Sequence, residues 1–132
     1  MGAVTLAGDQ DSRRVLVVDD EELILGVAAR LLRKLPVEVD TATSGTEALR
    51  KVNQSPYRYD LIMLDLTMPG IDGRTTLVEL QRVRADLPIV IMSGLSVQES
   101  RDVLGDVTCA GFLPKPFAID DVRRLVMRML PS

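Results

Sequence analysis

The chain contains no histidine and no tryptophan, one cysteine, and only two tyrosines and two phenylalanines in 132 residues. Without histidine there is no His-based triad and no Cys/His zinc site, and a lone cysteine makes no internal disulfide. So few aromatics exclude the base-stacking surface of a single-strand nucleic-acid binder. A net charge of −3 and a pI near 4.9 exclude a broad electrostatic footprint for DNA, so no direct nucleic-acid partner is expected. No apolar stretch approaches the roughly 20 residues needed to cross a bilayer. The start, MGAVTLAGDQDS, has neither the basic region nor the sustained apolar run of a signal peptide. Gly2 fits myristoylation, but Leu6 stands where that signal needs Ser or Thr. These absences predict a cytoplasmic protein without a membrane partner.

What is present describes a single domain. A hydrophobic content of 46% with 27% charged residues suits a globular chain long enough to bury one core without staples. Residues 1–12 are small and polar without periodicity and read as a flexible arm; residues 13–130 form the domain. The centre of that domain is the stretch Asp60 to Gly73, DLIMLDLTMPGIDG. Leu61-Ile62-Met63-Leu64 shows no alternation, as expected of a strand buried on both faces. It ends on Asp65 and breaks at Met68-Pro69-Gly70. A desolvated carboxylate at a strand end needs a cation or donors to stay ionised.

Elsewhere strand and helix patterns alternate. Arg14 to Val18 reads as a first strand ending on Asp19-Asp20. A helix follows from Glu21 to Lys34, with Leu23, Ile24, Val27, Ala28, Leu31 and Leu35 at helical spacing. Val37 to Ala42 is a second strand, and Ser44-Gly45-Thr46-Glu47 is a capping box opening the next helix. After Gly73, Leu77, Leu80 and Arg84 belong to a third helix whose apolar face includes Val83, and Ile89 to Met92 form a fourth strand ending on Ser93-Gly94. Ser96 to Leu104 is a short, weakly amphipathic helix. Cys109 to Leu113 is the fifth strand, ahead of Pro114-Lys115-Pro116-Phe117. The last helix carries Ile119, Val122, Val126 and Met129 on one face. Five such units predict an α/β fold with a parallel sheet between helical layers. Right-handed crossovers bring every strand's carboxyl end to one edge, where such folds bind ligands. Asp19-Asp20, Asp65, Ser93 and Lys115 each follow a different strand there.

Carboxylates gathered in one crevice repel, and oxygen ligands without His or Cys select Mg²⁺, or Mn²⁺, over zinc. Mg²⁺ favours phosphate oxygens as co-ligands; Lys115 adds a point charge and Ser93 a hydroxyl. An Asp carboxylate can then act as nucleophile towards phosphorus, forming an acyl phosphate. Each residue taken singly has an ordinary structural explanation: an acidic helix cap, a turn-starting Asp, a helix-entry Ser, a solvated Lys. Four of them at four strand ends require four coincidences. Cys109 reads as a small core residue.

The segments VLVVDDEE (15–22), DLIMLDLTMPGIDG (60–73), IVIMSG (89–94) and FLPKPF (112–117) resemble, in this order, the response-regulator receiver family of two-component signalling. The likeness covers residues 13–130, and its wording is nearest to receivers of hybrid histidine kinases. The resemblance implies a flavodoxin-like (βα)5 three-layer sandwich with strand order 2-1-3-4-5. It implies that Asp65 accepts a phosphoryl group from a phosphohistidine. Asp20 would then ligate Mg²⁺ directly, Asp19 chiefly through water, with Asp65 and the Thr67 carbonyl completing the protein ligands. Ser93 stands at the hydroxyl that turns towards phosphate, and Phe112 at the switch aromatic, more often Tyr. The partners implied are a histidine kinase or histidine-phosphotransfer domain, and a homodimer through the face of the fourth helix, fifth strand and last helix. On this reading the chain is no enzyme beyond its own phosphorylation and dephosphorylation.

Two finer expectations follow. Ile24, Leu25, Pro116 and Phe117 are expected to form an exposed apolar docking patch beside Asp65. Thr67 and Leu95, two residues after Asp65 and Ser93, offer no carboxylate or amide to orient water, so the acyl phosphate should decay slowly. The competing readings are a Mg²⁺-dependent aspartate-nucleophile phosphatase, which needs an acid where Thr67 stands, and a phosphorylation-independent binding module.

Overall fold

The computed structural model describes residues 13–68 and 72–130; the expected arm at 1–12 and the turn residues Pro69 and Gly70 lie outside them. Five strands form one sheet: β1 (Arg13–Val18), β2 (Val37–Ala42), β3 (Leu61–Asp65), β4 (Ile89–Ser93) and β5 (Gly111–Pro114). They are interleaved with α1 (Glu22–Leu32), α2 (Gly45–Gln54), α3 (Gly73–Val83), α4 (Val97–Leu104) and α5 (Ile119–Met129). All pairings are parallel and the order is β2-β1-β3-β4-β5. This is the flavodoxin-like order, and it reverses direction between β1 and β3.

Strand parity divides the core into two layers. Leu16, Val18, Ile62, Leu64, Ile89 and Ile91 face one way, against Val52 of α2, Leu77 and Leu80 of α3, and Leu104 of α4. Val15, Val17, Leu61, Met63, Val90 and Met92 face the other, against α1 and α5. β3 is buried at every position, which is why its sequence shows no alternation.

Helix α1 corrects the sequence-based reading. Its buried face is Leu25, Ala28, Ala29 and Leu32, whereas Leu23 is 78% and Val27 40% exposed. The segment ELILGVAARLL is apolar around most of its circumference, so more than one stripe satisfies helical spacing. Packing on the sheet and on α5 selects the stripe that spacing alone leaves open. The start of α2 differs in detail from a capping box. The Ser44 side chain accepts from the Glu47 amide at 3.0 Å, but Glu47 Oε1 takes the Thr43 amide at 2.7 Å, one residue earlier than the box requires. Strand β5 begins at Gly111, two residues later than Cys109, and runs into Pro114.

At the opposite end of β3 from Asp65 sits Tyr59, 1% exposed, whose hydroxyl donates to Asp40 Oδ2. Burial and the Asp40 carboxylate push its phenol up to about 12. An unfolded tyrosine ionises near pH 10, so between about pH 10 and 12 the unfolded chain loses its proton first. The contribution is complete below that window and is lost as pH rises through it. Urea unfolding should show stability falling by about 2–3 kcal/mol across it. Tyr59→Phe should remove most of that slope.

Candidate functional site

The carboxyl ends of β1, β3 and β4, with the residue following β5, deliver five side chains to one crevice. Asp19 is fully buried, and Asp65 and Ser93 are each 2% exposed. Asp20 is exposed at the rim. Carboxylate oxygens of Asp19, Asp20 and Asp65 lie within 4.8 Å of one another. Lys115 closes the group from the β5 side, its Nζ 2.7 Å from Asp19 Oδ2 and 3.5 Å from Asp65 Oδ1.

Backbone geometry fixes each of these groups. The Asp19 amide donates to the Ala42 carbonyl at 3.1 Å, extending the β1–β2 ladder, while Asp19 Oδ1 accepts from the Glu21 amide at 2.9 Å. Asp65 Oδ1 accepts from the Thr67 amide at 3.3 Å. Ser93 Oγ accepts from the Leu95 amide at 2.9 Å, and its carbonyl accepts from the Lys115 amide at 2.7 Å. The last contact sets the position from which the lysine side chain reaches back across the crevice.

The electrostatics follow from burial. Desolvation, then the neighbouring Asp19 charge, raises the Asp65 carboxyl above its ordinary range; Lys115 and the Thr67 amide oppose this without cancelling it. Burial alone would lower Lys115, but the hydrogen bond to Asp19 and the charges of Asp65, Asp19 and Glu21 outweigh it and raise its pKa. One lysine therefore faces more negative charge than it neutralises. A hard divalent cation fits that deficit, and an all-oxygen donor set matches Mg²⁺.

Gly73 holds the segment after Asp65 in place. A Cβ there would collide with the backbone O, Cα and C of Leu66, and the Gly73 amide donates to the Leu66 carbonyl at 3.1 Å. Gly73→Ala should destabilise the fold by about 2 kcal/mol. It should also weaken Mg²⁺ binding by shifting Leu66 and Thr67; urea unfolding and a Mg²⁺ titration check both.

Of the sequence-based candidates, Asp19, Asp20, Asp65, Ser93 and Lys115 come together, with Thr67 exposed next to them. The docking patch does not hold as expected. Leu25 is 6% exposed because it belongs to the buried face of α1, and Phe117 is half-buried against the same core layer. Pro116 is exposed and Ile24 half-buried. The exposed apolar side chains of α1 are Leu23 and Val27, one turn apart. Two contributors escape the sequence: Glu21, whose amide positions Asp19, and Arg101, whose guanidinium lies 5.5 Å from the centre of the Phe112 ring; a third contact, from the Leu95 amide to Ser93 Oγ, is one that reading the Leu95 side chain does not show. Backbone amides carry no residue-type signal, and Arg101 lies on a helix whose pattern is weak.

Among the described residues, no helix is long and apolar enough to cross a membrane. The response regulator receiver domain family matches residues 15–127. The transcriptional regulatory protein PrrA of Mycobacterium leprae is 35% identical over 90% of this chain and 50% of its own length. The sensor kinase CckA of Brucella abortus is 33% identical over 90% of this chain and 13% of its own. The chain thus spans half or less of these relatives. The solved receiver domain of the sensor histidine kinase PA1611 from Pseudomonas aeruginosa, with magnesium in its active-site cleft, superposes with a TM-score of 0.83 at 25% identity, covering 92% of this chain and 99% of that one. Sequence, topology and the acidic crevice agree: this chain belongs to the response-regulator receiver domains of two-component signalling.

Proposed function

We propose that Asp65 is the phosphoacceptor of this receiver, taking a phosphoryl group from a phosphohistidine of a histidine kinase or histidine-phosphotransfer domain. A carboxylate oxygen of Asp65 attacks phosphorus; the P–N bond to the donor imidazole breaks, and the imidazole keeps the electron pair. Lys115, already 3.5 Å from Asp65, is placed to meet the incoming phosphoryl oxygens, and Ser93 Oγ turns from the Leu95 amide to donate to one of them. Bound Mg²⁺, held by Asp20, Asp65 and the Thr67 carbonyl with Asp19 behind them, would neutralise the crevice and the phosphoryl charge; Mn²⁺ would serve the same oxygens.

The observation that carries this reading is the shared crevice: three carboxylates within 4.8 Å of one another and one lysine between two of them. The donor's helical surface docks on the exposed side of α1, through Leu23, Ile24 and Val27 with Pro116, in place of the buried Leu25. The test is transfer from a radiolabelled phosphohistidine domain with and without Mg²⁺. Mg²⁺-dependent, base-labile labelling supports the reading. Continuous turnover of small phosphate esters would instead support the phosphatase, and absence of label with every donor the binding module.

Leu95 is half-buried beside Ser93 and carries no group to orient water. The acyl phosphate is therefore long-lived, and Leu95→Gln should shorten its half-life about tenfold, less than a general base supplies because an amide orients water without accepting its proton. An unchanged decay of the label would count against this role.

A further inference from the structure

Helix α4 is the least anchored of the helices over the crevice: it is eight residues long and buries only Ser100 and Leu104. Two arginines hold it. Arg74 of α3 donates from Nε to the Leu104 carbonyl at 3.0 Å and pairs with Asp106 at 3.4 Å. Arg101 of α4 lies over the Phe112 ring of β5, and no carboxylate among the described residues forms an ion pair with it. The ring is half-buried and borders two spaces. One is a narrow gap, too small for a water molecule, that it shares with Ile91, Ser93, Leu95, Val97 and Ser100. The other is a cavity of about 300 Å³ that it shares with Arg101, Leu104, Val107 and Cys109.

A phenylalanine at this position has no hydroxyl with which to register its orientation, and the guanidinium supplies a different means. We infer that Arg101 is a latch on Phe112, holding the ring on the α4 side in the resting state. This rests on the reading of Ser93 and Phe112 as a switch. When Ser93 Oγ leaves the Leu95 amide for a phosphoryl oxygen, the gap beside it opens to the ring. Movement of Phe112 towards Ser93 separates ring from guanidinium, loosens α4, and leaves the Arg101 charge free to meet a partner. The latch favours the resting state by the strength of an exposed cation–π contact, and ligands of the active state bind more weakly by the same factor.

Removing the latch should therefore tighten the binding of a phosphoryl mimic, an effect opposite in sign to simple damage. The measurement is calorimetric titration of the full chain with beryllofluoride at saturating Mg²⁺. Arg101→Ala should bind about two- to fivefold more tightly than the parent, with Arg101→Lys in between. In a Phe112→Leu background Arg101→Ala should add nothing, because the ring that it grips is gone. Unchanged or weaker binding by Arg101→Ala overturns the latch while leaving the crevice reading intact. A parent chain that shows no Mg²⁺-dependent binding overturns both.

Discussion

Lys115→Met should lower stability in metal-free buffer by about 3–5 kcal/mol, the range for removing one partner of a buried charge cluster. Asp19 and Asp65 are withdrawn from water, and among the described residues the ammonium between them is the one side-chain cation within 4 Å of either. Methionine keeps most of the stem volume, so the loss reports charge rather than a cavity. Two further measurements distinguish this cause from misfolding. Mg²⁺ should restore much of the lost stability, by mass action on the folded state alone. Acid should restore part of it too: a carboxyl with a raised folded-state pKa gains stability as pH falls through that pKa, and without Lys115 the Asp65 carboxyl rises further. A variant as stable as the parent in chelator would show that the crevice tolerates its negative charge without the lysine.

The same crevice shows which features a sequence can reveal. A strand buried on both faces must be apolar throughout, so Leu61 to Leu64 and Ile89 to Met92 stand out, and the first polar residue after each marks the sheet edge. Crossover handedness then gathers Asp19, Asp65, Ser93 and Lys115 without any side-chain detail. The same reasoning fails for α1, where apolar residues surround the helix and only contact with the sheet and α5 decides that Leu25 faces inward and Leu23 outward. It cannot separate Asp19 from Asp20, adjacent and chemically identical, yet one is wholly buried on Lys115 and the other exposed. Nor does it reach Arg101 and Phe112, which meet across the sequence through the α4–β5 connection. Periodicity records burial of an element's face; it does not record which charged tip lies over which ring.

Asp65→Asn should abolish phosphoryl acceptance and, without metal, make the protein more stable at neutral pH, the direction set by a folded-state carboxyl pKa above its ordinary value. The two effects share one origin. Burial and the Asp19 charge disfavour the ionised Asp65 more strongly than Lys115 and the Thr67 amide favour it, so its pKa lies above the ordinary value. The unfolded chain therefore carries this carboxylate more easily than the folded parent does. The amide of Asn keeps the shape, can still accept from the Thr67 amide, and relieves the repulsion. It offers no anionic oxygen to attack phosphorus and is a poorer ligand for a hard cation. Urea unfolding of parent and variant should therefore cross over. The variant leads in chelator at neutral pH, the gap closes as acid protonates Asp65 in the parent, and saturating Mg²⁺ reverses it by binding the parent more tightly. A variant less stable than the parent in chelator at neutral pH would mean that Lys115 more than compensates Asp65, and that the crevice is a settled ion pair rather than a site held ready for a cation and a phosphoryl group.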